Sequence, residues 1–168
     1  MSLSFNPTSS LSTSNGELTF GGTDSTKYTG NISYTPITTT SPANEYWGVD
    51  AMIRYGVNAS LLASGAGILD TGTTLILIPT DTFQDYLTHT GGVMDAATGL
   101  VKITSSQLSN LRSLFFTIGS TTHELTANAQ LWPRSLNTAI GGTANSIYLV
   151  IGDVSAFITV MLLLIQYE

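Results

Sequence analysis

One acidic residue, Asp70, lies between two apolar runs, Gly67–Leu69 and Leu75–Pro79, and it is the strongest candidate for chemistry in the chain. Apolar residues on both sides predict two buried strands, and a carboxylate at their junction is costly to bury unless hydrogen-bond donors surround it. Gly72 and the neighbouring threonine hydroxyl groups can supply those donors. Asp-Thr-Gly is also an ordinary turn sequence. The apolar flanks favour a supported carboxylate over a plain turn.

The other acidic and histidine side chains are weaker candidates. Asp24 follows a Gly-Gly pair, where an aspartate is usually a cap or turn residue. His89 falls at the predicted end of a helix, where it can interact with the helix dipole and the last carbonyl groups. His123 and Glu124 are adjacent on a predicted strand and point to opposite faces, so they form no local acid–base pair. With two separated histidines and no cysteine, the sequence predicts neither a metal site nor a bound cofactor.

The composition predicts the scaffold that must position Asp70, namely a mainly β domain. The chain has 168 residues, 16 glycines, 42% hydrophobic residues and only 10% charged residues, which is typical of strands joined by polar turns. Alternating patterns predict strands on both sides of Asp70 and also at 3–5, 17–20, 31–37, 45–55, 100–103, 115–118, 122–126 and 147–153. The first two of these strands are predicted to form a hairpin, and so are 115–118 and 122–126. Within the predicted strand at 45–55, we expect Tyr46 and Trp47 to pack on the core or to line a cleft. Residues 137–146 are expected to form a glycine-rich loop.

Two short helices are predicted between the strands. The first begins after Pro79 with Thr80 as its N-cap, and the second begins at Thr104 or Ser105. Spacing of three or four residues places apolar side chains on one core face of each helix. These side chains are Phe83, Tyr86 and Leu87 in the first helix, and Leu108, Leu111 and Leu114 in the second.

The charge balance bears on the class of partner. A net charge of −6 with five Lys and Arg residues argues against nucleic acid and against an anionic membrane surface as a partner.

Other sequence features bear on covalent processing. Without cysteines, disulfide bonds are excluded. The first five residues lack a signal peptide's basic and apolar regions, so we expect a start within a longer or recloned protein. Asn31 and Asn58 open two Asn-X-Ser sequons, which are glycosylation acceptors in a secreted protein.

Several motifs along the chain are more specific than its composition. They are Gly16–Asp24, Tyr34–Ile37, Tyr46–Gly48, Asp70–Thr74 and Leu114–Gly119. Together they resemble the C-terminal lobe of pepsin-like (family A1) aspartic peptidases secreted by wood-rotting basidiomycete fungi. The likeness runs from about Leu3 to Asp153. It implies a single lobe built as a half-barrel of antiparallel strands with two short helices, an extracellular location and a polypeptide substrate.

The resemblance also implies roles for the Asp70 loop. In that family each of two lobes contributes one Asp-Thr-Gly, and the two aspartates share a proton and activate a water molecule. Asp70 is then half of the catalytic dyad, Thr71 reaches toward the opposite loop, and Gly72 and Thr73 support the carboxylate. The sequence shows one such motif, without the N-terminal lobe and its flap tyrosine. We therefore expect no catalysis by a monomer.

Residues 154–168 depart from the family pattern and are interpreted as a divergent apolar tail. The family has an acidic insertion, an apolar-apolar-Gly segment and a last strand at this point. One hypothesis is read-through of an intron, since the intron-start sequence GTGAGT would translate as Val-Ser, the residues found at Val154 and Ser155. The alternative is that Val150–Val154 imitates the apolar-apolar-Gly segment and Phe157–Val160 forms the next strand. The run Phe157–Ile165 is too short to span a bilayer, so a strand or a dimer contact is expected.

Three functions are consistent with the sequence. In the first hypothesis, the chain is a non-catalytic secreted binding protein that is recognised, for example, by host or immune cells and is therefore immunomodulatory. Alternatively, it is a homodimeric peptidase of retroviral style, in which the Asp70 loops of two copies meet across a twofold axis. In the third hypothesis it is a fragment or splice product of an ordinary peptidase, without an independent role.

Overall fold

The computed structural model describes residues 1–6, 8, 10, 12–155 and 159–161, and it has the predicted mainly β fold. The strands are β1 (Ser2–Ser4), β2 (Glu17–Thr19), β3 (Gly48–Tyr55), β4 (Ala59–Leu69), β5 (Ile76–Ile78), β6 (Val93–Met94), β7 (Val101–Ile103), β8 (Leu114–Ile118), β9 (Thr121–Leu125), β10 (Ile147–Leu149), β11 (Ile151–Asp153) and β12 (Thr159–Met161). The α-helices are α1 (Thr80–Thr90) and α2 (Ser105–Leu108), and 3₁₀ turns cover Ala43–Glu45, Asn128–Gln130 and Arg134–Ile140.

A seven-stranded sheet in the order β11-β5-β12-β4-β3-β8-β9 carries the Asp70 loop. Most of its pairings are antiparallel, as predicted, and β8 and β9 form the expected hairpin. β12 lies between β4 and β5, parallel to the first and antiparallel to the second. The two strands that flank Asp70 are therefore held apart by a third strand. β11 adds a further parallel pairing to β5.

The tail prediction is only partly within the described residues. The strand at Thr159–Met161 pairs in register with Gly67–Leu69. Phe157, Ile158 and the apolar residues 162–165 lie outside the described residues. The boundary at residue 153 and the dimer contact stay predictions.

Two smaller sheets complete the β-structure. β1 and β2 form the predicted N-terminal hairpin, with Ser2 opposite Thr19, and β10, β7 and β6 form a three-stranded sheet. The predicted strand at Asn31–Ile37 is wrong, since no strand occurs there. Its alternating side chains face solvent, with Tyr34 88% exposed, and Pro36 has no N–H to donate to a ladder. A segment with an alternating pattern forms a strand only where a neighbouring strand is available to pair with it.

The core lies between the inner face of the large sheet, α1 and the β7–β10 pair. Its fully buried side chains include Ile53, Ile78, Tyr86, Val101, Leu114, Phe116, Leu149 and Ile151. Burying each large apolar side chain contributes about 1.5–3 kcal/mol relative to exposure. The long predicted strand at 147–153 is split at Val150, because its first half pairs with β7 and its second half with β5.

The helices are confirmed in place but not in every detail. The N-cap of α1 is Pro79, so the predicted Thr80 cap is wrong; the Thr80 hydroxyl instead donates to Asp153 Oδ1 at 2.8 Å. A carboxylate beside the first turn also interacts favourably with the helix dipole. Phe83 and Tyr86 are buried as predicted, and Leu87 is partly buried.

The second helix begins after Thr104, within the predicted start at Thr104 or Ser105, and a capping box closes its N-terminus. Thr104 accepts a hydrogen bond from Gln107 N at 3.2 Å, and the Gln107 side chain accepts from Thr104 N at 2.6 Å. The helix ends at Leu108, so the predicted helical face through Leu111 and Leu114 is wrong. Leu114 instead begins β8, where strand pairing buries it.

Three other boundaries differ from the expectations. The strand predicted from residue 45 begins at Gly48, after the first 3₁₀ turn. The strand before Asp70 is continuous from Ala59 because β3 accompanies it along its length. The first residues of the predicted loop 137–146 belong to a 3₁₀ turn. Within the described part of the chain, no helix combines the length and apolar character that a membrane span requires.

Candidate active site

The Asp70 loop connects the end of β4 to the start of β5. Backbone hydrogen bonds fix both ends, from Leu69 N to Trp47 O at 2.9 Å and from Ile76 N to Val150 O at 2.9 Å. Asp70 is partly buried, whereas Thr71, Gly72 and Thr74 are exposed. The fold therefore presents the loop at the surface on a rigid base.

Two donors hold the Asp70 carboxylate. The Thr73 hydroxyl donates to Oδ2, and Gly72 N donates to Oδ1 at 2.9 Å. These hydrogen bonds, with Thr73 contributing more, lower the pKa of Asp70 below its ordinary value because they stabilise the charged form. The expected donors are therefore present. Thr71 makes no hydrogen bond within the described residues, and its exposed side chain is free to contact another molecule.

An open cleft of about 600 Å³ adjoins the carboxylate. Its lining residues are Ile37, Asn44, Glu45, Tyr46, Trp47, Ile68, Leu69 and Asp70. Trp47 is 70% exposed and Tyr46 is 57% exposed, so these aromatic side chains line a cleft, which was one of the two predicted placements. Aromatic walls around a small number of polar groups are typical of ligand sites.

A close backbone approach positions the aromatic wall. Gly48 packs against the 3₁₀ turn so tightly that an added Cβ would overlap the carbonyl oxygen of Ala43. Thr38 N donates to Gly48 O at 2.9 Å, and the Thr38 hydroxyl donates to Asp50 Oδ1 at 2.6 Å. These contacts fix the backbone immediately after Trp47, and no local pattern in the sequence indicates them.

The weaker candidates, Asp24 and His89, are not among the residues that line the cleft beside Asp70. Asp24 accepts hydrogen bonds from the backbone and hydroxyl of Thr26, as expected of a turn residue. His89 lies in the last turn of α1 and stacks on Tyr55, with ring centroids 5.5 Å apart.

His123 and Glu124 lie on opposite faces of β9, as predicted. His123 is partly buried, and burial lowers its pKa, whereas exposed Glu124 accepts from the Ser113 hydroxyl at 2.6 Å. Among the described residues, no group of acidic, histidine or cysteine side chains could hold a metal ion.

Comparison with known proteins connects this geometry to a family. The family model described as "Eukaryotic aspartyl protease" matches residues 2–159. The chain belongs to the eukaryotic aspartyl protease family. It is 62% identical to polyporopepsin of Irpex lacteus over 156 residues, which are 93% of this chain and 46% of that protein. It is 34% identical to rhizopuspepsin-1 of Rhizopus niveus over 140 residues, covering 83% of this chain and 35% of that protein.

The fold also matches that of a solved structure. The crystal structure of the aspartic proteinase from Irpex lacteus aligns with a TM-score of 0.92 at 58% identity, covering 98% of this chain and 50% of that chain. The pepsin-like fold predicted from the motifs is thereby confirmed. The chain spans half or less of the length of these relatives.

Proposed function

We propose that this chain acts as one carboxylate-bearing lobe of an extracellular aspartic endopeptidase and that its substrate is a polypeptide. Asp70 supplies one of two catalytic carboxylates. The observation that carries the proposal is the Asp70 carboxylate itself, held by Thr73 and Gly72 beside the aromatic cleft. Within the described residues no second carboxylate is hydrogen-bonded to it, so this lobe alone is expected to be inactive.

The pairing of Asp70 with a second aspartate suggests the mechanism. Two nearby carboxylates hold one proton between them, because like charges so close do not both ionise. The hydrogen bonds of the loop lower the pKa of Asp70 in this lobe, and in the assembled dyad the shared proton belongs to the pair of aspartates. The ionised member of the pair accepts a proton from the attacking water, while the protonated member donates a hydrogen bond to the scissile carbonyl group. Neither step uses a metal or a cofactor.

Exposed apolar side chains support completion by a second Asp-bearing unit. Phe20 and Tyr34 are 76% and 88% exposed, and Leu3 and Leu18 on the β1–β2 hairpin are about half exposed. A two-stranded hairpin is at best marginally stable by itself. Leu3 and Leu18 are cross-strand partners in it, so their exposed apolar groups lie side by side and suit contact with a partner. We propose an N-terminal lobe of the family type as the second unit. A second copy of this chain is the alternative.

A cleavage assay at acid pH tests the proposal. Unfolded haemoglobin is incubated with the chain alone over a concentration series, and with the chain mixed with the N-terminal lobe of polyporopepsin. Pepstatin-sensitive cleavage is expected only in the mixture, and Asp70→Asn should abolish it. Asp85→Asn is the matched control, because Asp85 lies exposed on α1 and should leave cleavage unchanged.

The alternatives give different results in the same assay. Cleavage by the chain alone that rises faster than linearly with its concentration would favour the homodimer. If the two lobes bind each other and no pepstatin-sensitive cleavage follows, the catalytic proposal fails. A role in binding alone, including recognition by immune cells, predicts no cleavage under any of these conditions.

A further inference from the structure

The sequon Asn58-Ala59-Ser60 lies at the tip of the β3–β4 hairpin. Gly56, Val57 and Asn58 connect the paired residues Tyr55 and Ala59, and Gly56 adopts a φ of +59°, which favours glycine. Asn58 and Ser60 are both exposed. Their side chains make no hydrogen bond within the described part of the chain, so the amide and the hydroxyl are both unengaged.

The tip is anchored without help from Asn58. Gly56 N donates to Ser113 O at 2.8 Å, and Arg54 Nη1 donates to Val57 O at 3.4 Å. Val57 is 70% exposed and apolar. A bulky, solubilising group on Asn58 would cover Val57 while leaving these backbone contacts intact.

The hairpin tip is also far from the candidate active site. Asn58 precedes β4 and Asp70 follows it, so the eleven residues of that strand separate them. Two bulges shorten this strand, which pairs with only the eight residues of β3, so at ~3.3 Å per residue its two ends lie roughly 20–25 Å apart. Asn31, in the other sequon, instead adjoins the exposed apolar side chains of Ile32 and Tyr34. A glycan there would cover these apolar side chains.

We propose that Asn58 is an N-glycosylation acceptor. In the transfer, Asn58 Nδ2 bonds to C1 of the first sugar of a lipid-linked oligosaccharide diphosphate. The bond from C1 to the diphosphate oxygen breaks, the lipid diphosphate leaves and the amide loses one proton. Transfer takes place on the chain before it folds, so the folded structure has only to leave room for the glycan. The inference rests on the extracellular location proposed above and not on catalytic activity.

Secretion from yeast behind a leader peptide tests the full chain directly. The secreted protein is treated with peptide N-glycosidase, and mass spectrometry shows whether residue 58 is converted from Asn to Asp. We expect conversion in the wild type and in Ser60→Thr, which keeps the hydroxyl group. Asn58→Gln and Ser60→Ala should lose the glycan from this site.

The leader imposes the secretory route, so the result depends on Asn58 and not on the native location or on cleavage activity. Modification at Asn58, with or without Asn31, supports the proposal. A secreted, folded wild type and Ser60→Thr variant with unmodified Asn58 would overturn it, even if Asn31 carries a glycan.

Discussion

The hydrogen bond between Tyr86 and Gln130 offers a quantitative test of how the core holds α1 behind the site. The Tyr86 hydroxyl donates to Gln130 Oε1 at 2.8 Å, and both side chains are fully buried. Tyr86→Phe keeps the ring and leaves the buried oxygen without its donor, which costs about 1–3 kcal/mol. Taking ~2 kcal/mol, the Tm of a domain of this size should fall by about 4–8 °C.

The Gln130 side chain makes more hydrogen bonds than the Tyr86 hydroxyl does. Its Nε2 donates to Arg112 O at 2.8 Å and to the carbonyl oxygens of Leu125 and Thr126 at 3.3 Å. Gln130→Ala should therefore lower the free energy of unfolding by more than Tyr86→Phe does. In a double-mutant cycle, the Tyr86 substitution should cost less when Gln130 is already absent.

Urea unfolding of the two single variants and the double variant supplies the free energies. Tyr148→Phe is the matched control, because its buried hydroxyl makes only long contacts, at 3.3 Å and 3.5 Å. It should cost less than Tyr86→Phe. Equal costs for the two tyrosines, or full additivity in the cycle, would refute the reasoning.

Three further predictions concern the site and its surroundings. Thr73→Ala should raise the pKa of Asp70 toward its ordinary value in an NMR titration, whereas Thr73→Ser should leave it low. Burial lowers the pKa of His123, so the stability that the neutral ring provides is lost as the pH falls from about 6.5 through the folded pKa. His123→Gln should flatten that part of the pH–stability profile measured by urea unfolding. Gly48→Ala should cost about 1–3 kcal/mol in the same assay, because its Cβ meets backbone of the 3₁₀ turn.

The features that could be predicted from the sequence depend on neighbours close in the chain. The donors to Asp70 come from residues two and three positions later, and the Thr104 capping box spans the same distance. The β1–β2 and β8–β9 hairpins were predictable from their alternating patterns. The family motifs extended this prediction to the whole fold.

The features that could not be predicted depend on contacts between distant residues. The Thr80 hydroxyl donates a hydrogen bond to Asp153, 73 positions away, instead of capping its helix. The Tyr86 hydroxyl donates to Gln130, 44 positions away. Asn31–Ile37 has a strand pattern, yet without a neighbouring strand it stays exposed. Local periodicity contains no information about which neighbour is available, so each of these features required the tertiary structure.

Titration of Asp70 tests the central claim most directly. By NMR, its pKa in the chain alone should lie below the ordinary value, as the hydrogen bonds from Thr73 and Gly72 require. When the N-terminal lobe binds, the carboxylate should titrate together with the opposite aspartate in two steps, one of them raised. Replacing that aspartate with asparagine should restore a single step. An unchanged titration of Asp70 in a mixture whose lobes demonstrably bind would contradict its assignment as half of a catalytic pair.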